Sequence, residues 1–260
     1  MEGLTSGEIR DPLGDLGLRR GAIVLFHTSL RSFGHVEGGA LGLIQALSDA
    51  VGPEGTLVAP TLTGHRTDGP DHPPVFDRDR TPCWTGRVPE TFRQIPGAMR
   101  SLHPTHSVTA IGRRASWLIE GHVEAPSPCG IRTPYARLAS EGGQVVLFGV
   151  DFESCTLVHS LEEVAGVPYH LQEVLTPVSL RAGDMRVERS CRLHVWDDRF
   201  KDFNRLAGPL QEAGGMRQGR IGASLTTVID AEILWSVGIA LLRRDPWYLV
   251  RDDGPPPVTG

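Results

Sequence analysis

The chain has 260 residues, of which 40% are hydrophobic and 22% charged, a composition typical of a globular protein with one large α/β domain or two small ones. Its longest apolar runs, residues 22–26 and 145–148, are far shorter than the roughly 20 residues that a membrane span needs. The formal net charge is −5, from 26 basic and 31 acidic residues. This balance disfavours a nucleic-acid partner, because phosphate contacts usually require a basic excess.

The first residues and the cysteines indicate a cytoplasmic protein. Residues 1–8 are acidic and lack the basic and apolar segments of a secretory signal. The four cysteines lie far apart without a C-x-x-C pair, which predicts free thiols.

Lysine occurs once, at Lys201, and arginine provides the other basic side chains. Guanidinium groups suit a local phosphate site, although a GC-rich genome is an alternative cause of the arginine excess.

Apolar patterning predicts alternating helices and strands. The predicted helices cover parts of residues 4–19, 38–51, 88–94, 135–140, 154–166, 200–210 and 227–242, and the predicted strands are 22–27, 55–60, 107–112, 144–150 and, antiparallel, 187–197. Continuously apolar strands are typical of a sheet covered on both faces. We therefore expect an α/β fold with a largely buried central sheet flanked by helices. A single domain over 1–250, a flexible tail over 251–260 and a long surface loop over 63–84 complete the prediction.

Two histidines occupy positions suited to chemistry. His27 ends a predicted buried strand, and ligands of parallel α/β sheets gather at the carboxyl ends of the strands; a packing role is the alternative. His159 lies on a predicted helix with Glu162 at i+3 and Glu163 at i+4, so that a carboxylate can orient the imidazole. Such a histidine is a candidate general base, although the spacing alone is common.

Other chemistries lack sequence support. His103 and His106 flank a proline and have no further ligand at a familiar spacing, so we expect no metal site there. Cys129 and Cys155 carry no signature of an activated thiol. The nucleophile elbow, the dinucleotide-binding glycine motif and the Walker A motif are absent from the sequence.

Six segments, taken together and in order, resemble the aminoglycoside 3-N-acetyltransferase family, also called the antibiotic N-acetyltransferases. They are FHTSLRSFG (26–34), GGA (38–40), DAVGPEGTLV (49–58), HPTHSV (103–108), TPY (133–135) and CTLVHSLE (155–162). The resemblance runs from about residue 4 to residue 240. It implies a fold distinct from the GNAT acyltransferases and an enzyme that acetylates the 3-amino group of 2-deoxystreptamine aminoglycosides with acetyl-CoA, conferring resistance.

The resemblance also implies roles for individual residues. His159 matches the family's base, Glu162 its supporting carboxylate, and His27 a position beside the thioester. The residues expected to bind coenzyme A are Thr28, Ser29, Leu30, Arg31, Ser107 and Tyr135, with Arg31, Arg100, Arg113 and Arg114 as candidates for its phosphates. Transfer is expected to be direct, without a covalent enzyme intermediate and without a metal.

The acceptor is expected to be a polycation held by the carboxylates of Asp68, Asp71 and Glu163, the alternative being that residues 63–84 form a solvated surface loop. Departures from the family pattern at Cys129, at residues 160–161 and at 221–223 leave the acceptor open. A non-antibiotic amine as acceptor and a non-catalytic protein that sequesters the drug are therefore alternative hypotheses. We expect a monomer or a homodimer.

Overall fold

The computed structural model describes residues 3–196 and 200–251. The helices in this part of the chain are α1 Ser6–Asp15, α2 Gly39–Val51, α3 Arg87–Phe92, α4 Ala115–Ile119, α5 Pro134–Ser140, α6 Leu157–Ala165, α7 Ala207–Glu212 and α8 Ala231–Arg244. The strands are β1 Ile23–Thr28, β2 Thr56–Pro60, β3 Val75–Asp77, β4 Met99–Arg100, β5 Val108–Gly112, β6 Gln144–Phe148, β7 Thr176–Ala182, β8 Met185–Cys191, β9 Phe200–Lys201, β10 Met216–Ile221, β11 Ser224–Asp230 and β12 Val250–Arg251.

A seven-stranded mixed sheet in the order β10-β11-β6-β1-β2-β5-β4 forms the centre of the fold. Strands β6, β1 and β2 are parallel, and their neighbours on either side run antiparallel to them. Successive residues of β1 point to opposite faces: Leu25 packs in a core with α5, α6 and α8, whereas Phe26 packs in a second core with α1, α2 and α3. The prediction of a buried central sheet flanked by helices is confirmed.

The predicted helix over 227–242 was partly wrong. Residues 227–230 belong to β11, which pairs with both β6 and β10, and the helix begins only at Ala231. No glycine or proline separates the strand from the helix, and the junction is marked by Asp230, which lies at the N-cap position of α8. Strand β10 was missed because most of its residues are at least partly exposed, and β7 was missed although its residues alternate between buried and exposed.

The segment predicted as a helix over 200–210 contains the short strand β9, a 3-10 turn and α7. The strand predicted at 187–197 is shorter, because β8 ends at Cys191, and Asp197 lies outside the described residues. Arg251 belongs to β12, and residues 252–260 of the predicted tail lie outside the described residues as well.

Part of the predicted surface loop is anchored by a second sheet. Within 63–84, β3 pairs with β7, which pairs with β8. The Arg100 guanidinium lies buried beneath this loop and donates to the backbone carbonyls of Thr61 and Thr81. The loop is therefore tied to the edge of the central sheet. None of the helices in the described ranges is both long and apolar enough to traverse a bilayer.

Strand directions determine where a site can form. The carboxyl ends of β1, β2 and β6 lie at one edge of the sheet, and β5, which is antiparallel to β2, begins at that same edge. Residues that follow β1 and β6 and residues that precede β5 therefore meet there.

Candidate active site

His27 is the penultimate residue of β1 and is almost fully buried. Its Nε2 accepts a hydrogen bond from the Thr156 backbone N–H at 3.4 Å, just before α6. Burial, assisted by the nearby His159, lowers the pKa of His27 to about 3. His27 is therefore neutral at physiological pH and supports the site through hydrogen bonding rather than by taking up a proton.

The His159–Glu162 contact predicted from the spacing is present. His159 Nδ1 lies 2.8 Å from Glu162 Oε2 within α6, which fixes the imidazole with Nε2 available as a proton acceptor. The side chain of His159 is 24% exposed, whereas that of Glu162 is 0% exposed. Burial raises the pKa of Glu162, but His170, the His159 hydrogen bond and Lys201 outweigh it and lower that pKa to about 2. The carboxylate is charged when His159 acts.

Two further side chains complete the surroundings of Glu162. His170 Nδ1 is 3.1 Å from Glu162 Oε2, and Lys201 Nζ is 3.3 Å from Glu162 Oε1. Neither residue was predicted for the site from the sequence. Both come from segments after α6, and only the occurrence of a single lysine in the composition offered a signal.

The side chain of Glu163 is 2% exposed, so the structure does not support the expected contact with an acceptor. Its Oε1 lies 2.7 Å from His194 Nε2 and accepts a hydrogen bond from the Cys129 backbone N–H at 2.7 Å. Burial raises the pKa of Glu163 to about 8. Glu163 thus fixes His194 and the turn around Cys129.

Histidines dominate the interior around this site. The His159 ring stacks on that of His170 with centroids 5.1 Å apart, and His194 lies 4.0 Å from His170 and 4.2 Å from His106. Burial lowers the pKa of six histidines, which are His27, His103, His106, His122, His170 and His194. The charged forms of these imidazoles are disfavoured at neutral pH.

Two cavities meet at His159. One, of about 260 Å³, contains His27, Thr28 and Thr156; the other, of about 320 Å³, contains His106, His170, His194 and Lys201. Trp84 and Glu153 line both cavities. Trp84 and Trp196 are half-exposed, with ring centroids 6.2 Å apart. The sequence did not single out these two tryptophans or Glu153.

A groove continues from the first cavity through Thr28. Four residues predicted for coenzyme A lie together there, Thr28, Ser29, Leu30 and Arg31, along with Arg87 and Val88. The short loop after β1 is held by Ser32, whose hydroxyl donates to the Ser29 carbonyl at 2.7 Å. Arg87 adds a second guanidinium to the groove that sequence reasoning missed.

Ser107 and Tyr135 are not brought to this groove. Ser107 is buried between β2 and β5, and its hydroxyl donates to the Thr61 carbonyl at 2.7 Å. Tyr135 is buried in the core, and its hydroxyl donates to the His106 carbonyl at 3.3 Å. The structure therefore does not place these two residues with the four that line the groove, and both polar groups are engaged inside the protein.

Three of the four arginines expected to bind phosphate are also placed elsewhere. Arg100 holds the loop over 63–84, and burial lowers its pKa to about 10. Arg113 and Arg114 follow the far end of β5 and pair with Glu54 and Glu141. Because β5 runs antiparallel to β2, that end lies opposite the edge that carries His27.

Asp68 and Asp71 line a separate depression with His65 and His72, which shares no lining residue with the two cavities at His159. The Asp68 carboxylate accepts a hydrogen bond from the His65 backbone N–H at 2.7 Å and so shapes its own turn. The expected role of these aspartates at the acceptor is therefore not supported by the structure.

The thiols and the histidine cluster bear on other possible chemistries. All four cysteines are free and buried, and burial raises the pKa of Cys155 to about 12 and that of Cys129 well above its ordinary value. One nitrogen each of His159, His170 and His194 lie within 4.8 Å of one another, as do ligand atoms of His106, Cys129 and His194. The Lys201 ammonium lies 3.2 Å from His170 Nδ1 and would repel a metal ion bound by His159, His170 and His194. A reaction without a metal stays a prediction.

Comparison with known proteins places this site in a family. Residues 25–243 match the family model described as aminoglycoside 3-N-acetyltransferase. The chain is 33% identical to aminoglycoside N(3)-acetyltransferase IX of Micromonospora chalcea, with 91% of this chain and 92% of that protein covered. It is 31% identical to aminoglycoside N(3)-acetyltransferase VII of Streptomyces paromomycinus, with 97% and 95% covered. The chain therefore belongs to the aminoglycoside 3-N-acetyltransferase family and is an acetyltransferase.

Solved structures support the same assignment. Aminoglycoside acetyltransferase AAC(3)-Xa superposes with a TM-score of 0.80 at 31% identity, over 96% of this chain and 95% of that one. A histidine-to-alanine mutant of AAC(3)-IVa in complex with a gentamicin gives 0.81 at 29% identity, over 96% and 92%. AAC-IIIb in a binary complex with CoASH gives 0.78 at 26%, over 94% and 97%. The family fold predicted from the motifs is confirmed.

Proposed function

We propose that the chain transfers the acetyl group of acetyl-CoA to the 3-amino group of a 2-deoxystreptamine aminoglycoside, with His159 as general base. The observation that carries this proposal is the position of His159, which is fixed by a buried carboxylate and lies where two cavities meet. One cavity continues into the groove with Arg31 and Arg87, and the other is lined by Trp196.

The chemistry follows from this arrangement. The acceptor amine becomes a nucleophile only after losing a proton, which His159 Nε2 accepts while Glu162 stabilises the resulting imidazolium. The amine nitrogen then bonds to the thioester carbon, the carbon–sulfur bond breaks, and the departing thiolate of coenzyme A takes up the further proton that the nitrogen loses as the amide forms. Because the cysteines are buried as thiols, direct transfer is favoured over a covalent intermediate.

The thioester oxygen needs a donor as negative charge develops on it. Thr28 lines both the first cavity and the groove, and its Oγ1 is buried without a hydrogen-bond partner among the described residues. A buried hydroxyl without a partner is costly unless a ligand engages it. We assign Thr28 as the candidate oxyanion donor, and Arg31 and Arg87 as the candidates for the phosphates of coenzyme A.

The acceptor side combines ring faces and charge. Trp84 and Trp196 offer aromatic surfaces of the kind on which sugar rings and cations bind, and Glu153 offers a carboxylate. Supporting this assignment, solved relatives hold a gentamicin or sisomicin as bound ligand. We also propose a cytoplasmic location, a single domain over residues 1–250 and a monomeric or homodimeric state.

The test is acetylation by His159→Ala against the unaltered chain, with exposed His72→Ala as matched control. Mass spectrometry of a reaction with acetyl-CoA and an aminoglycoside panel should show addition of one acetyl group. The rate of this acetylation should fall at least about 100-fold in His159→Ala and stay unchanged in His72→Ala. Calorimetry should show coenzyme A binding retained in both variants.

Other outcomes distinguish the alternative hypotheses. Full activity of His159→Ala would remove the base assignment. Thiol release with other amines but with no aminoglycoside would indicate a non-antibiotic acceptor. Tight drug binding without thiol release, unchanged in His159→Ala, would indicate a sequestering protein.

A further inference from the structure

Lys201, the single lysine of the chain, lies inside the site rather than on the surface. Its side chain is 19% exposed, and its ammonium lies 5.3 Å from the centroid of the Tyr169 ring and 5.9 Å from that of Phe203. The other 25 cationic side chains are arginines, whose forked heads are larger than an ammonium. A compact cation is thus placed where the proposed function requires a proton to be moved.

The carboxylate of Glu162 has three cationic or polar neighbours. Its Oε2 lies 2.8 Å from His159 Nδ1 and 3.1 Å from His170 Nδ1. Its Oε1 accepts no hydrogen bond from the described residues, and the Lys201 ammonium lies 3.3 Å away. Lys201 therefore supplies the countercharge for a carboxylate that is fully removed from water.

Two imidazoles compete for one carboxylate oxygen. His159 and His170 stack with ring planes 22° apart and both present Nδ1 to Glu162 Oε2, so position along the carboxylate does not decide which of them takes a proton. Burial already disfavours a second proton on His170, whose side chain is 1% exposed against 24% for His159, and Lys201 adds to this because its Nζ lies 3.2 Å from His170 Nδ1. An ammonium can only donate, so the contact with Lys201 favours an unprotonated Nδ1 on His170, whereas the contact with Glu162 Oε2 favours a protonated one.

We propose that Lys201 is a positioning residue that keeps His170 neutral and directs the proton of the acceptor amine to His159. The inference rests on the proposed role of His159. A proton on His170 would face the Lys201 ammonium directly, whereas a proton on His159 Nε2 points toward the cavities. Lys201 also offsets the negative charge of Glu162. The His159 imidazolium is then not stabilised so strongly that it keeps its proton, and the base is regenerated after each turnover.

The electrostatic setting contains other groups that bear on a pH measurement. Those that face the Glu162 cluster from neighbouring elements are His27 of β1, His106 before β5, Glu153 after β6, Glu163 of α6 and His194 after β8. Of these groups, His194 also feels the Lys201 charge, which lowers its pKa further, so the neutral variants are compared with Lys201→Arg, which keeps the charge.

The first experiment measures the tautomer of His170 in the complete protein at pH 7. Long-range ¹H–¹⁵N spectra of the imidazoles, assigned with His170→Asn, should show Nδ1 of His170 unprotonated. In Lys201→Met, Nδ1 should carry a proton directed at Glu162. The same tautomer in both proteins would overturn the proposal, whatever the acceptor of the enzyme proves to be.

The second experiment measures the pH dependence of kcat/KM for Lys201→Met and Lys201→Arg. With the cation removed, the acidic limb should move to higher pH by about one unit, while Lys201→Arg should stay close to the unaltered profile. Lys201→Gln provides a second neutral variant if the methionine variant does not fold. An unshifted limb in a folded neutral variant, or an equal shift in Lys201→Arg, would overturn the proposal.

Discussion

Adjacent glutamates show how the contacts of a single residue decide its charge. Glu162 and Glu163 are both buried, yet two imidazoles and an ammonium lower the pKa of Glu162 to about 2, while burial without a cation raises that of Glu163 to about 8. Their helical spacing from His159 was readable in the sequence. Their different environments were not, because His170, His194 and Lys201 reach them only through the tertiary fold.

The raised pKa of Glu163 predicts a pH-dependent contribution to stability. Its pKa is 4.5 in the unfolded chain and about 8 in the fold, so the folded state retains a proton and loses stability as pH rises between these values. Glu163→Gln removes that dependence. Urea unfolding should show the variant gaining about 2–4 kcal/mol relative to wild type between pH 5 and pH 9.

A matched control for this measurement is Glu141→Gln, at an exposed carboxylate paired with Arg114. Its difference from wild type should stay nearly constant over the same pH range, because exposed pairs contribute little. A constant difference for Glu163→Gln as well would contradict the assignment of a protonated Glu163.

At the level of elements, predictability followed burial. Strands β1, β2 and β6 were predicted because both of their faces are covered and their sequences are continuously apolar. Strand β10 escaped detection because it is largely exposed, and β11 because it runs directly into α8, whereas β7 alternates buried and exposed residues, a strand pattern that was overlooked.

The loop after β1 depends on a glycine at the end of β6. Gly149 has φ +58°, and a Cβ there would lie 2.0 Å from Ser32 Oγ and 2.1 Å from Ser32 Cβ. We predict that Gly149→Ala displaces residues 29–33, raises the KM for acetyl-CoA at least about threefold and costs more than about 2 kcal/mol of stability. Steady-state kinetics and thermal unfolding measure both effects.

Gly183, in the β7–β8 turn, provides the matched control. It has φ +56°, but a Cβ there would meet no atom within 4 Å. Gly183→Ala should therefore cost only the backbone strain of about 1 kcal/mol and leave the KM unchanged. Equal effects of the two substitutions would show that the contact with Ser32 is unimportant.

At the scale of the whole molecule, the net charge of −5 bears on how the acceptor is attracted. The same charge balance that disfavours nucleic acid suits the proposed acceptor, because a polycation is attracted to an acidic surface. We predict that kcat/KM for the aminoglycoside falls about three- to tenfold between 0.05 and 0.5 M salt, since screening shortens the reach of that field. Sucrose at equal osmolarity should leave it unchanged, and an equal loss in sucrose would contradict this explanation.

The six buried histidines give the fold a built-in sensitivity to acid. Unfolded, each binds a proton near pH 6.5, whereas the folded chain excludes these protons to lower pH, so stability is retained above pH 6.5 and lost below it. Uptake of six protons corresponds to about 8 kcal/mol per pH unit at the steepest point. The loss over one pH unit is comparable to the whole free energy of unfolding of a typical domain.

Circular dichroism with pH-stat titration should find a single steep unfolding step near pH 5. A shallow transition with uptake of one or two protons would contradict this prediction. Such a steep step would mean that mild acid inactivates the enzyme by unfolding it.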